Sequence, residues 1–152
     1  MRSLIAGTFV LVAGLAVAGA ADPFIGTWTL NVAKSQFTPA GPKSLTRVYT
    51  AAGDALDLTI TGVAADGKPI ARHSVFKFDG KDYAYSGHPD LDAVAFKRID
   101  ANHYDSTSKK AGKVVGSSST KISADGKVLT QVSKGVNASG AATSSTAVYD
   151  RK

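Results

Sequence analysis

Three histidines, His73, His88 and His103, are the only imidazoles in the chain, and imidazole is the side chain that most readily moves a proton or holds a metal near neutral pH. Their spacing offers neither His-x-His nor His-x-x-x-His, the arrangements that turn two ligands onto one face. No metal site is expected, and solvated rings are the default. His88, close to Asp90 and Asp92 on an irregular stretch, is the best placed of the three. The serines at 117–119, 144 and 145 lie outside any Gly-x-Ser-x-Gly elbow and read as exposed strand positions. The aspartates lack the ordered spacing of a calcium loop, and the Asp-Gly-Lys segments lack the several glycines before a helix that cradle phosphate. No catalytic residue and no cofactor is assigned, and an enzyme is not expected.

The arginines offer different chemistry. Arg47 shares a face with Leu45 and Tyr49, Arg72 with Ile70 and Phe76, and Arg98 with Val94 and Phe96, so each interrupts an apolar face. A buried guanidinium must be paired or meet an anion. Three pointing inward would make an anion pocket. Near a strand end, each would instead lay its stem on apolar surface and carry its head to water, and this commoner outcome is the expectation. Trp28, Tyr49, Phe76, Phe78, Tyr83, Tyr85 and Phe96 would line or plug the same interior. Those seven aromatics and three arginines are the candidate ligand-binding set. Gly116, Ser118 and Thr120, with Ala142, Ser144 and Thr146, are all small; facing inward they would leave a cavity, facing outward nothing.

The elements that must position these residues are strands. From Ser44 onward, apolar and polar residues alternate with period two, most clearly in Leu56, Leu58 and Ile60 against Asp57, Thr59 and Thr61. This is the pattern of a sheet with one face buried. Asp66-Gly67, Asp79-Gly80, Ala111-Gly112 and Asp125-Gly126 supply the positive φ angles of tight hairpins. About ten strands follow, near 26–30, 44–50, 55–62, 69–78, 81–86, 92–99, 102–109, 113–122, 127–135 and 141–149. The connection from Asn31 to Lys43 is long: Asn31 to Ser35 suits a short helical turn, Pro39-Ala40-Gly41-Pro42 ends it, and the remainder is expected to cross one end of the sheet as a loop. Ser86 to Asp92 is a second irregular segment. Ten antiparallel strands leave exposed edges unless the sheet closes, so an all-β antiparallel meander closing into a barrel is expected, with a two-sheet sandwich as the alternative.

Arg2, the uncharged run from Leu4 to Val17 and Ala18-Gly19-Ala20 have the form of a secretory signal, residues 1–20, cut after Ala20 or Ala21. Glycines dilute the run below what a spanning helix needs. A periplasmic or secreted product is expected, with no membrane span after cleavage and a single barrel domain over 21–152. The chain has no cysteine, so packing and backbone hydrogen bonds alone hold the fold. Its net charge of +6 is scattered rather than gathered in a stripe with aromatics, which argues against nucleic acid. Asn137-Ala138-Ser139 fits a glycosylation sequon, relevant only in a eukaryotic secretory route.

Pro23-Phe24-Ile25-Gly26-Thr27-Trp28-Thr29-Leu30-Asn31 carries Gly-x-Trp on the first strand and resembles the calycin barrels, the lipocalins and fatty-acid-binding proteins. Thr146-Ala147-Val148-Tyr149-Asp150 is similar to the closing strand of the fatty-acid-binding group. The resemblance implies a calycin-like barrel with the tryptophan near its base. It departs where that group carries an arginine two residues before the tyrosine, because Ala147 stands there, so the group's carboxylate clamp does not carry over. Trp28, Leu30, Asn31, Lys34, Ser35 and Phe37 also match a Trp-x-Leu-Asn-x-x-Lys-Ser-x-Phe pattern that resembles small exported bacterial proteins of unassigned function. The functional expectation is an exported soluble barrel that binds a small apolar or amphipathic molecule without catalysis. The alternative is a protein-interaction module, an inhibitor or envelope-complex subunit. A cavity of several hundred cubic ångströms would favour the first, a filled interior with an exposed apolar patch the second.

Overall fold

The computed structural model describes residues 20–152, so the expected signal segment, apart from Ala20, lies outside the described residues. Eleven antiparallel strands make one sheet: β1 (Gly26–Leu30), β2 (Gln36–Thr38), β3 (Ser44–Ala52), β4 (Ala55–Val63), β5 (Pro69–Phe76), β6 (Asp79–Ala84), β7 (Ala93–Asp100), β8 (His103–Lys110), β9 (Lys113–Ile122), β10 (Val128–Val136) and β11 (Ala142–Arg151). Ten of them follow the order β5-β4-β3-β1-β11-β10-β9-β8-β7-β6, and β2 pairs with β11. The two ends of this path meet through an isolated bridge, where the His73 and Ser86 backbones exchange hydrogen bonds of 3.3 and 3.0 Å. The result is a nearly closed barrel, not a two-sheet sandwich. Gly87, directly after the bridge, has φ 77°, and a Cβ there would lie 1.9 Å from the Ala71 carbonyl oxygen. Only glycine lets the two ends of the sheet approach so closely.

Three details differ from the sequence reading. The eleventh strand, β2, comes out of the segment expected to be loop. Asp79-Gly80 is no hairpin turn: β5 stops at Phe76, β6 begins at Asp79, and the register shifts between Asp79 and Asp82, so Gly80 at φ 76° sits in a bulge. Ala142, Ser144 and Thr146 do not face inward with Gly116, Ser118 and Thr120. The pairing puts Thr143, Ser145 and Ala147 opposite inward residues of β10, and Ala147 is buried. Ala111-Gly112 is the expected tight turn, with φ of 48° and 77° between the paired Lys110 and Lys113.

The pattern around Trp28 acquires a structural reason. β1 pairs with β11 at residues 149–151 and β2 pairs with it again at 144–146, so β1 and β2 are one strand interrupted by a 3₁₀ turn at Val32–Lys34. Asn31 starts the turn by accepting the Lys34 N–H at 3.2 Å, and its amide donates to Asp150 at 2.7 Å. Where the strand steps out, the Ser35 hydroxyl accepts the Val148 N–H at 2.9 Å in place of a backbone carbonyl. Phe37 then re-enters opposite Ser145.

One end of the barrel is shut by aromatic packing. Phe24, Trp28, Tyr49, Phe76 and Tyr104 are fully buried, Phe76 stacks on Phe96 at 3.7 Å, and Phe24 meets Tyr104 edge-on at 4.8 Å. Side chains of this size contribute about 1.5–3 kcal/mol each on burial. Trp28 satisfies its indole N–H on the Phe24 carbonyl at 2.9 Å. Among the described residues no helix is long and apolar enough to cross a membrane.

Ser35→Ala leaves the Val148 N–H without its acceptor, and we expect a loss of about 1–3 kcal/mol in urea unfolding. A midpoint equal to that of the parent protein would show that water replaces the hydroxyl at no cost.

Candidate functional site

Between the aromatic plug and the opposite, open end lies a cavity of about 580 Å³. Strand pairing arranges its walls in rows. On one side Leu45, Gly62 and Ile70 form the row nearest the opening, Arg47, Ile60 and Arg72 the next, and Tyr49, Leu58 and Ser74 the third, next to the plug. On the other side Ser106, Ser118, Ser133, Ser145 and Phe37 pair across five strands into a single row. Below it Tyr104, Thr120, Gln131 and Ala147 pair in turn. One wall is therefore apolar with two cations in it, and the facing wall carries short neutral hydroxyls. Segment 37–42 of the long connection lines the opening, together with His88 and Leu91 of the second irregular segment.

Arg47 is 6% exposed, and its guanidinium carbon lies 5.2 Å over the Tyr149 ring. Its Nε and Nη1 are buried without a hydrogen-bond partner among the described residues, as is Nε of Arg72. Neither arginine takes part in a salt bridge among the described residues. Burial pushes the Tyr49 hydroxyl well above the ordinary tyrosine range, with the Arg47 charge opposing, and it raises Tyr85 against the charges of Arg47 and Arg72. Both phenols are thus neutral donors at physiological pH, and Tyr49 shares a 2.9 Å hydrogen bond with Tyr104.

The cavity brings together Arg47, Arg72, Tyr85 and Phe96 of the candidate set. The other six stand elsewhere. Trp28, Tyr49, Phe76 and Phe78 belong to the plug layers, and Tyr83 donates its hydroxyl to Asp79 at 2.8 Å outside the cavity. Arg98 lies at the closed end, paired with Asp22 and stacked 3.8 Å over the Phe78 ring. Of the three arginines, Arg47 thus defeats the expectation that each would reach water. The candidate set left out Phe37, Leu45, Ile70, Leu91 and the serine row, of which Ser118 alone is among the small residues read as able to face inward. Leu45 and Ile70 were legible as the face-mates of the arginines. Phe37 was not, because its strand was read as loop.

The histidines do not converge. His73 pairs with Asp57 at 3.0 Å on an exposed face. His103 meets both Asp105 at 3.0 Å and Ser119 at 2.8 Å, but through the same Nε2, so the imidazole cannot relay a proton between them. His88, at the cavity rim, accepts the Asp90 N–H on Nδ1 at 3.1 Å. Among the described residues no three His, Asp or Glu side chains are grouped to hold a metal ion. Asn137 commits its side-chain oxygen to the turn, accepting from the N–H groups of Ser139 at 3.1 Å and Ala141 at 2.9 Å.

No protein-family model matches the chain, and no curated protein matches it. Solved structures do. Rv2717c from M. tuberculosis aligns with a TM-score of 0.56 at 14% identity, over 86% of this chain and 93% of that one. The fold is that of a calycin-like barrel. Zebrafish ileal bile acid-binding protein, complexed with cholic acid, aligns at TM-score 0.49 and 13% identity over 86% of this chain and 99% of that one. A redesigned β-barrel, mFAP0, bound to DFHBI, aligns at 0.41 and 15% identity over 85% and 99%.

Two predictions follow from the charges in and around the cavity. Arg47→Met removes a buried cation with unpartnered N–H groups and fills the same row with an apolar chain. We expect the ligand-free protein to gain about 1–3 kcal/mol, read as a higher urea midpoint; a lower one would mean that the guanidinium is already satisfied. His88 is held down to about 4 by burial, with the Arg72 charge adding, Asp90 opposing and Lys110 adding. The unfolded chain takes up this proton as pH falls through the ordinary 6.5, while the folded one does not until about 4. Between those values the unfolded state binds more protons, so stability falls as pH falls. In His88→Asn that fall should be shallower when urea unfolding is compared at about pH 7 and about pH 4.5; an unchanged slope would remove His88 from the acid response.

Proposed function

We propose that this protein is an exported, non-enzymatic barrel that holds a small amphipathic molecule in its interior. The observation that carries the reading is the cavity of about 580 Å³, shut by aromatic packing at one end and open at the other. That volume lies in the range of small-molecule sites. Its walls differ, apolar across β3–β5 and hydroxylated across β8–β11, which suits a molecule with both characters. Absence of catalysis is supported by the scattered histidines and by the commitment of His88 Nδ1 to a backbone N–H, because a general base needs a free nitrogen aimed at its proton.

Export rests on the signal-like first twenty residues. A cut after Ala20 or Ala21 is also compatible with the barrel, whose first engaged residue is Asp22: it accepts the Phe24 N–H at 3.0 Å and pairs with Arg98. Compartment fractionation with N-terminal sequencing should give a mature chain beginning at Ala21 or Asp22, and an intact Met1 in the membrane fraction would overturn export.

The ligand is tested by native mass spectrometry of the mature protein taken from its own cells, followed by organic extraction. We expect one small molecule per chain that reloads onto stripped protein. A barrel that arrives empty and binds neither lipids nor apolar dyes would overturn the carrier reading.

A further inference from the structure

Arg47 and Arg72 are the part of the cavity that folding alone does not explain. They occupy one row, with Ile60 between them. Arg47 is more than nine-tenths buried, and three guanidinium nitrogens of the pair have no partner among the described residues. A guanidinium does not shed its proton in a protein, so a permanent charge remains in the low-dielectric interior at Arg47, beside the half-buried charge of Arg72. The carboxylates that line the same cavity at its rim are otherwise engaged. Asp66 pairs with Lys68 at 3.0 Å and accepts its N–H at 3.1 Å, while Asp90 accepts the Ala138 N–H at 2.9 Å. Arg98 shows the alternative at the closed end, where the fold supplies Asp22. For Arg47 and Arg72 no carboxylate is supplied, and the group that would satisfy them is an anion arriving from outside.

The surroundings describe the rest of that anion. One row nearer the opening stand Leu45, Gly62 and Ile70, with Phe37 and Leu91 also lining the cavity. The serine row opposite carries no charge, and Tyr85 contributes a neutral phenol near both arginines. A bare inorganic ion would use the cations and leave this apolar ring empty. We infer that the cavity takes an organic anion with an apolar body, its carboxylate, sulfate or sulfonate head between Arg47 and Arg72 and its body within Phe37, Leu45, Ile70 and Leu91. This rests on the carrier reading above and names its ligand class. The cations come from β3 and β5 rather than from the closing strand, whose Tyr149 ring lies 5.2 Å from the Arg47 guanidinium carbon.

Two fluorescent probes of similar shape separate the head from the body: 1-anilinonaphthalene-8-sulfonate, an anion, and N-phenyl-1-naphthylamine, which lacks the sulfonate. The mature protein should bind both, the anion more tightly. Arg47→Gln/Arg72→Gln should weaken the sulfonate probe by about tenfold or more and leave the neutral probe within about twofold, with near-ultraviolet circular dichroism reporting an intact fold. Lys97→Gln/Lys121→Gln, which removes two exposed charges on β7 and β9, is the control for net charge and should change neither. Decanoate should displace the sulfonate probe better than decanol does, and sodium sulfate should do no more than sodium chloride of equal ionic strength.

Equal loss of both probes, or no loss of the sulfonate probe, in the double variant would overturn the anion site while leaving the carrier reading intact. Displacement by sulfate alone would overturn the amphipathic ligand in favour of an inorganic ion. If neither probe nor decanoate binds the parent protein, the carrier reading itself falls, and this inference with it.

Discussion

The backbone ladder of β1 carries the rest of the barrel, because this short strand is bonded on one edge to β3 and on the other to β11. Without it the N-terminal strands β3–β5 and the C-terminal strands β6–β11 would meet only through the His73–Ser86 bridge, and the edges of β3 and β11 would be unpaired along β1. The chain secures the junction from both termini. Arg151 donates to the carbonyls of Pro23 at 2.6 Å, Ile25 at 3.0 Å and Gly126 at 2.7 Å, while its guanidinium covers the Trp28 ring at 4.1 Å. Phe24 and Trp28, which plug the base, come from the same few residues. Closure of the sheet and closure of the barrel's end are thus one event, built around the Gly-x-Trp segment.

A closed end decides what an open end can do. The plug layers are dense and aromatic, and their charged member, Arg98, has its carboxylate. Toward the opening the side chains shorten to serine, threonine and glycine on β8–β11, and the interior is no longer filled. A fold selected for stability alone would place leucine and valine there, and would not bury Arg47 with donors unmet. The same unmet donors that are expected to weaken the empty protein are the ones that would give the cavity a chemical preference. Sites of this kind are where a protein is expected to depart from its own stability optimum.

Much of this was legible in the sequence, for identifiable reasons. Leu56, Leu58 and Ile60 alternate with polar residues so cleanly that only one face can be buried, and the turn at Ala111-Gly112 declares itself by composition. The facing of β11 did not, although the strand itself was read: from Ala142 to Thr146 every side chain is small, so the period-two signal that assigns a face is silent until Val148 and Tyr149. β2 was hidden for a different reason, since three residues between a 3₁₀ turn and Pro39 carry too little pattern to read as a strand. The arginines mark the limit of local reading. Arg47 and Arg98 each follow an apolar residue two positions back on the same face, Leu45 and Phe96, and what separates a partnered cation from an unpartnered one is Asp22, far away in sequence and brought to Arg98 by the fold.

If the cavity holds an amphipathic anion as inferred above, the order of rows fixes how it would sit. The arginine row lies deeper than the apolar row of Leu45 and Ile70, so a charged head must pass the apolar ring before it meets its partners, and the body is left behind in that ring. Reversing the molecule would bring a charge against Phe37 and Leu91 and set an apolar end against two unpaired guanidinium groups, leaving both ends unsatisfied. Desolvation of the head is thus compensated only at full insertion, where the guanidinium donors replace the water it has shed. Selectivity in such a site comes from depth: an apolar molecule can occupy the ring without reaching the arginines, an inorganic ion can reach the arginines without filling the ring, and only a molecule with both parts satisfies the two layers together.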